Sequence, residues 1–322
     1  VSPLNIPPQR NARPSTDRVH KTHRGAIAAV LFLGAVLAAG CGPKYTYPAS
    51  TVPQSVEKIC QDEYKMTVQA RVVGKTLGAV LYIDQLLDDK GQVSREVHEA
   101  MGKVMQATTR VSLSTDLPLD FCTVFVRDRK TGNELVITRS VDDSKRANAD
   151  MIGIEESINR TLFGQGRYLN GMDEGFVLRE IKIENFLADQ IVQRIRFNFS
   201  KDAKEEFINA FALVDGVFDD QNGKRTFRFS VIGLKSADDP HATILNVFKV
   251  VNTVLGGYKY SAFDVIEIQD YLNRLKLVID RQTMLDYQGK KIDETQILER
   301  FLTESQSIQE AFKLFGFALP QE

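Results

Sequence analysis

The chain has 322 residues, 43% hydrophobic and 26% charged, a globular balance that excludes a collagen-like or wholly disordered protein. Once residues 1–40 are set aside, 36 Lys and Arg face 41 Asp and Glu, a net charge of about −5. A mildly acidic surface argues against a nucleic-acid partner, which needs a basic face, and against electrostatic adhesion to anionic lipid.

Residue 1 is Val, and no Met occurs before Met66. Residues 1–18 are rich in Pro, Asn and Arg and carry no apolar pattern. A non-Met start at Val19 would leave VHKTHR as a short basic leader, and we expect translation to begin there. Arg24 then precedes an uncharged apolar run, GAIAAVLFLGAVLAAG from Gly25 to Gly40, followed by Cys41-Gly42-Pro43. The run is short for a membrane span, which takes about 20 apolar residues. Basic residues, an apolar core and small residues before a cysteine make a secretory signal peptide. The ending Leu37-Ala38-Ala39-Gly40-Cys41 resembles the lipobox of bacterial lipoproteins, with Leu37 one place earlier than the usual position.

That resemblance implies that residues 1–40 are leader and signal peptide. Cys41 becomes the first residue of the mature protein and carries the lipid. One acyl chain holds a protein only marginally; bacterial lipoproteins usually carry three. The resemblance places the chain outside the cytoplasm, lipid-anchored and facing the periplasm or the cell exterior. Gly42, in place of an Asp, points to the outer membrane where there is one.

Residues 41–54 are Pro- and small-residue-rich and read as the lipidated cysteine and its tether. Folding is expected from Ser55, with a short helix over SVEKICQDEYK. MTVQARVVG and TLGAVLYID form a hairpin across Gly74-Lys75. Ser94 caps a helix with Val97, Met101, Val104, Met105, Thr108 and Val111 on one stripe. FCTVFVRD and ELVITRS form a second hairpin. A helix from Asp142 or Asp143 carries Ala147, Met151, Ile154, Ile158 and Leu162 on one face.

Residues 164–175, GQGRYLNGMDEG, hold four of the 21 glycines and mark a loop or linker between halves 55–163 and 176–322. FVLREIKI is expected as a strand, then a helix with Leu187, Ile191 and Ile195. FALVDGVF and RTFRFSVIG pair across DDQNGK. Asp239-Pro240 opens a largely apolar helix through Leu255. FDVIEIQD and LKLVIDRQ form the next hairpin. Asp293, with Gln296 three residues on, caps a last helix carrying Ile297, Phe301, Ile308, Phe312 and Phe315. The fold class is therefore α+β: antiparallel hairpins alternating with helices, in an order that occurs twice and points to two similar halves. No residue-level identity links them.

The chemistry-bearing residues are few. Three cysteines occur. With Cys41 on the lipid, Cys60 and Cys122 remain, and an oxidising compartment allows either a disulfide or two buried thiols. Beyond residue 40 the only histidines are His98 and His241, and no cofactor or metal site is expected. Gly74-Lys75-Thr76 echoes a phosphate-binding loop, but Gln69 stands where that loop needs glycine and a strand follows. Asp215, Asp219, Asp220 and Asn222 before Gly223 resemble a calcium loop. Phe218 and Phe229 occupy positions where it needs carboxylates, so a turn is expected. Glu155-Glu156 reads as a solvated helix pair. Arg167 and Tyr168, in the glycine-rich loop, are the candidate interaction residues. We expect a lipid-anchored envelope protein that binds or scaffolds an envelope partner without catalysis. The alternatives are a solute-binding lipoprotein of a transport system and, behind it, an envelope hydrolase.

Overall fold

The computed structural model describes residues 45–88, 90–167, 177–201, 213–220, 223–233 and 239–304. Cys41, the signal segment, Tyr168, Ile308, Phe312 and Phe315 lie outside them. The fold is α+β, with two five-stranded, mostly antiparallel sheets.

The first half runs α1 (Val52–Tyr64), β1 (Val68–Val73), β2 (Thr76–Ile83), α2 (Arg95–Leu113), β3 (Phe121–Asp128), β4 (Asn133–Ser140), α3 (Val141–Asn148), α4 (Ile154–Asn159) and β5 (Leu162–Arg167). The second runs α5 (Ile183–Lys201), β6 (Leu213–Asp219), β7 (Thr226–Ile232), α6 (Ala242–Gly257), β8 (Val265–Asp270), β9 (Leu275–Asp280), α7 (Arg281–Gln288), α8 (Glu294–Phe301) and β10 (Leu302–Glu304). Element for element, the order is the same. Each sheet keeps its strands in chain order. Each is antiparallel except at one inner joint: β2 pairs parallel with β3 and β7 with β8, because a helix carries the chain across between them.

The halves also share backbone devices. The Lys75 carbonyl accepts the Asp120 and Phe121 amides at 2.8 and 3.2 Å; the Arg225 carbonyl accepts those of Asp264 and Val265 at 2.8 and 3.2 Å. Lys75 pairs with Asp120 at 3.2 Å and Arg225 with Asp264 at 3.1 Å. Asp128 and Asp270 end the inner strands and accept amides of the turns that follow. Asp150 and Lys290, both left-handed, end the paired helices α3 and α7.

Core formation follows the strand alternation. In β2, Leu77, Ala79 and Leu81 face α1 and α2, joined there by Cys122, Val124 and Val126 of β3. In the second half, Phe227, Phe229 and Val231 face Leu187, Ile191 and Ile195 of α5 and Ile244, Val247 and Val251 of α6. The expected apolar helix is thus buried as its sequence demands. Each such side chain contributes about 1.5–3 kcal/mol on burial.

Caps at Ser94 and Asp293 form as expected, the latter as a capping box with Gln296. Asp239 instead caps the turn before α6, accepting the His241 amide at 2.9 Å.

Four expectations are corrected. Residues 46–54 belong to the folded body and are not tether. The Thr46 and Tyr47 amides reach the Ser114 carbonyl, Ala49 donates to Asp116, and Val52 is fully buried. The helix expected after Asp142 breaks at Asp150, whose backbone is left-handed, and resumes as α4. Met151, Ile154 and Ile158 are then 69, 82 and 54% exposed instead of core. The linker 164–175 begins inside β5, which holds Gly164 and Gly166 in the first sheet. The strand expected over FVLREIKI is absent among its described residues: Ile183 begins α5, and 177–182 is irregular chain lying on the sheet face opposite α1 and α2. There Leu178 packs on Val80, and the Ile181 amide reaches the Thr76 hydroxyl at 2.9 Å.

Candidate functional site

The sequence-predicted residues do not converge. Cys60 on α1 and Cys122 on β3 are free buried thiols, the second of the two states the sequence allowed. Cys122 sits beneath α2, its thiol directed at the Thr108 carbonyl. Burial pushes both thiols up to about 11, so neither is a ready nucleophile. Arg167 is the last residue of β5 and pairs in the ladder with Asn133. Gly74-Lys75 is a hairpin turn in which Gly74 has φ +55° and the Lys75 amide donates to Glu180. His98 lies on the surface, bonded to the Ser94 carbonyl. Among the described residues no three His, Cys, Asp or Glu side chains gather as metal ligands would.

The structure does gather polar residues that the sequence did not single out. The first set locks the halves together. Arg160, 5% exposed, donates to Asp143 at 2.8 Å and to Glu156 at 2.7 Å. Its guanidinium lies 4.7 Å from the centre of the Tyr258 ring, and the Tyr258 hydroxyl donates to Asp143. Glu156 also takes Arg194 of α5. Burial pushes the Glu156 carboxyl up, but the two arginines outweigh it and hold it below the ordinary carboxylate range. Glu156 is thus a junction residue and not half of a solvated pair. Gln193 adds a second tie: its side-chain amide accepts from the Phe163 amide and donates to the Thr161 carbonyl, each at 2.8 Å. It occupies the edge of β5 as a neighbouring strand would. Beside this junction a cleft of about 470 Å³ is lined by residues of both halves, Gly164 and Gly216 among them.

The second set lines an open groove within the first half. Its volume is about 710 Å³, between α2 and strands β4 and β5. Met105, Leu113, Ile137 and Phe163 give it apolar walls, and Phe163 is 56% exposed. The Thr109 hydroxyl is buried there without a hydrogen-bond partner. Arg139 enters from β4. Its Nε donates to the Thr161 hydroxyl at 3.2 Å, and no carboxylate pairs with it among the described residues. Burial pulls its pKa down, partly offset by Cys122 and Asp143. Asp143 is itself engaged by Arg160 and Tyr258. A guanidinium in a concave groove, felt by Asp143 but ion-paired to no carboxylate among the described residues, can receive an anion.

One signal for Arg139 was present in the sequence. In ELVITRS the alternation that turns Leu135 and Ile137 inward also turns Arg139 inward. A charge in a core-facing register needs a reason. A scan against family models finds no match to this chain, and no curated protein matches it.

Proposed function

We propose that this chain is a lipid-anchored protein of the bacterial cell envelope whose folded body binds a partner and does no chemistry. The observation that carries the reading is the segment Arg24–Pro43, with its basic flank, apolar run and Cys41. The binding role is supported by Met151, Ile154 and Ile158, exposed in the break before α4 and along α4 within eight residues of chain, since exposed apolar side chains grouped together mark interaction surfaces. Outer-membrane attachment is the favoured location, from Gly42.

The test is intact-mass analysis of membrane-extracted protein expressed in a bacterium, wild type against Cys41→Ser. A mature mass beginning at Cys41 plus acyl chains, absent from the variant, supports the reading. An unacylated chain that keeps Arg24–Gly40 overturns it. A second reading, a solute-binding lipoprotein serving a transporter, draws on the groove at Arg139. It predicts that a captured small molecule co-purifies with the processed protein.

A further inference from the structure

The groove has a counterpart in the second half, where larger side chains pack between α6, α7 and α8 and the remaining hollow is displaced toward Asn252 and Lys290. The helices α3 and α7 have the same length and the same left-handed ending, so Ala147 corresponds to Tyr287, Ser157 to Ile297 and Thr161 to Phe301. In the sheet, Arg139 corresponds to Ile279. The buried positions of α2 and α6 also run in step, Met101, Val104 and Met105 against Ile244, Val247 and Phe248.

In the second half, Phe248 packs on Tyr287 with ring centroids 4.8 Å apart, and Ile279 and Ile297 are 1 and 0% exposed in the same core as Phe301. The first half puts a smaller or polar residue at each place. Two arginines line the groove: Arg110, which is paired with Glu63 at 2.8 Å, and Arg139, which makes no ion pair among the described residues.

We infer that the groove between α2 and β4–β5 binds an anionic amphiphile, a carboxylate on an unbranched apolar chain. The carboxylate pairs with Arg139, and the chain lies along Met105, Leu113, Ile137 and Phe163, where the second half supplies its own side chains. A cavity of about 710 Å³ is in the range that holds a small ligand. A charge-assisted hydrogen bond from a partly buried guanidinium gives the head group its specificity. The inference concerns the folded body alone and stands or falls apart from the lipid at Cys41.

The experiment titrates the full chain with dodecanoate and, separately, with dodecanol, following amide shifts and heats of binding. Dodecanoate saturates with a Kd near or below about 1 mM, and the shifted amides fall on α2 and β4. Arg139→Ile, which restores the residue of the second half, weakens dodecanoate about tenfold or more and leaves dodecanol unchanged. Gly102→Leu places a side chain in open space on the groove-facing stripe of α2, where an added Cβ meets no atom within 4 Å, and abolishes binding of both. This variant keeps Arg139, so a folding defect of Arg139→Ile would not leave the question open. The inference is overturned by no saturable binding by the wild type, by equal dodecanoate affinity in Arg139→Ile, or by equal affinity in Gly102→Leu. An acidic peptide that shifts the same amides where dodecanoate does not would also overturn it, in favour of a protein ligand.

Discussion

The two halves use one topology to make two different interiors. In the second, α8 lies on the core with Ile297 buried, and Lys249 and Tyr287 both reach Glu294 across its first turn. In the first, α4 turns Ile154 and Ile158 to solvent and anchors through Arg160 to the other half. The backbone plan therefore does not decide whether the space beside the central helix is core or groove. Four side-chain sizes and one charge decide it.

The largest expected effect lies at the junction. Asp143→Ala leaves Arg160 buried with one of its two carboxylates gone and removes the acceptor of Tyr258. It should cost about 3–5 kcal/mol in denaturant unfolding. Arg300, the counterpart of Arg160, is exposed, and Arg300→Ala should stay within about 0.5 kcal/mol. Equal losses would mean the halves are not locked by this cluster.

Next comes the paired helix. Ile297→Ala should cost about 2–5 kcal/mol by opening a cavity, whereas Ile158→Ala at the corresponding helix should cost less than about 0.5 kcal/mol. The two strands lining the cleft make a third contrast. A Cβ at Gly216 would lie 2.5 Å from Val192 and 2.7 Å from Phe229, but at Gly164 its nearest neighbour is Val136 at 3.7 Å. Gly216→Ala should cost about 1–3 kcal/mol and Gly164→Ala almost nothing, by thermal unfolding.

The smallest effect is in pH dependence. Burial pushes the Asp128 carboxyl up, but the amides of Leu86, Thr131 and Lys130 outweigh it and hold it below the ordinary value. Its contribution is complete above the unfolded carboxylate pKa, about 3.9, and is lost as pH falls through the lower folded value. Asp270 is held above the ordinary value by burial, against the amides of Asn273 and Leu272. Its charged form opposes folding, so that stability falls as pH rises from the unfolded value through the raised one. Asp128→Asn should therefore lose stability at pH 7 relative to pH 3, and Asp270→Asn should gain. Unfolding curves at the two pH values read the opposite signs.

Much of this architecture was legible in the chain. Period-two alternation marked the hairpins, and Ser94 and Asp293 marked helix starts, because these signals are local. The parallel joints β2–β3 and β7–β8 were not legible, since nothing near a strand says which way its non-sequential neighbour runs. The stripe Met151, Ile154 and Ile158 misled because helical spacing persists across the break at Asp150. The similarity of the halves was legible in the repeated order of hairpins and helices, but not residue by residue. What they share is carbonyl and amide geometry at Lys75 and Arg225, and turn-capping at Asp128 and Asp270, spread over strings that otherwise differ. The groove required both halves side by side, because Arg139 gains its meaning from Ile279.

Native-state amide hydrogen exchange tests the contrast between the halves most directly. The amides of α8 should be protected by its buried face, while those of α4, with Ile154 and Ile158 in solvent, should exchange at least about tenfold faster. Equal protection of α4 and α8, or slower exchange in α4, would contradict the account of one exposed and one core-packed helix in matching positions.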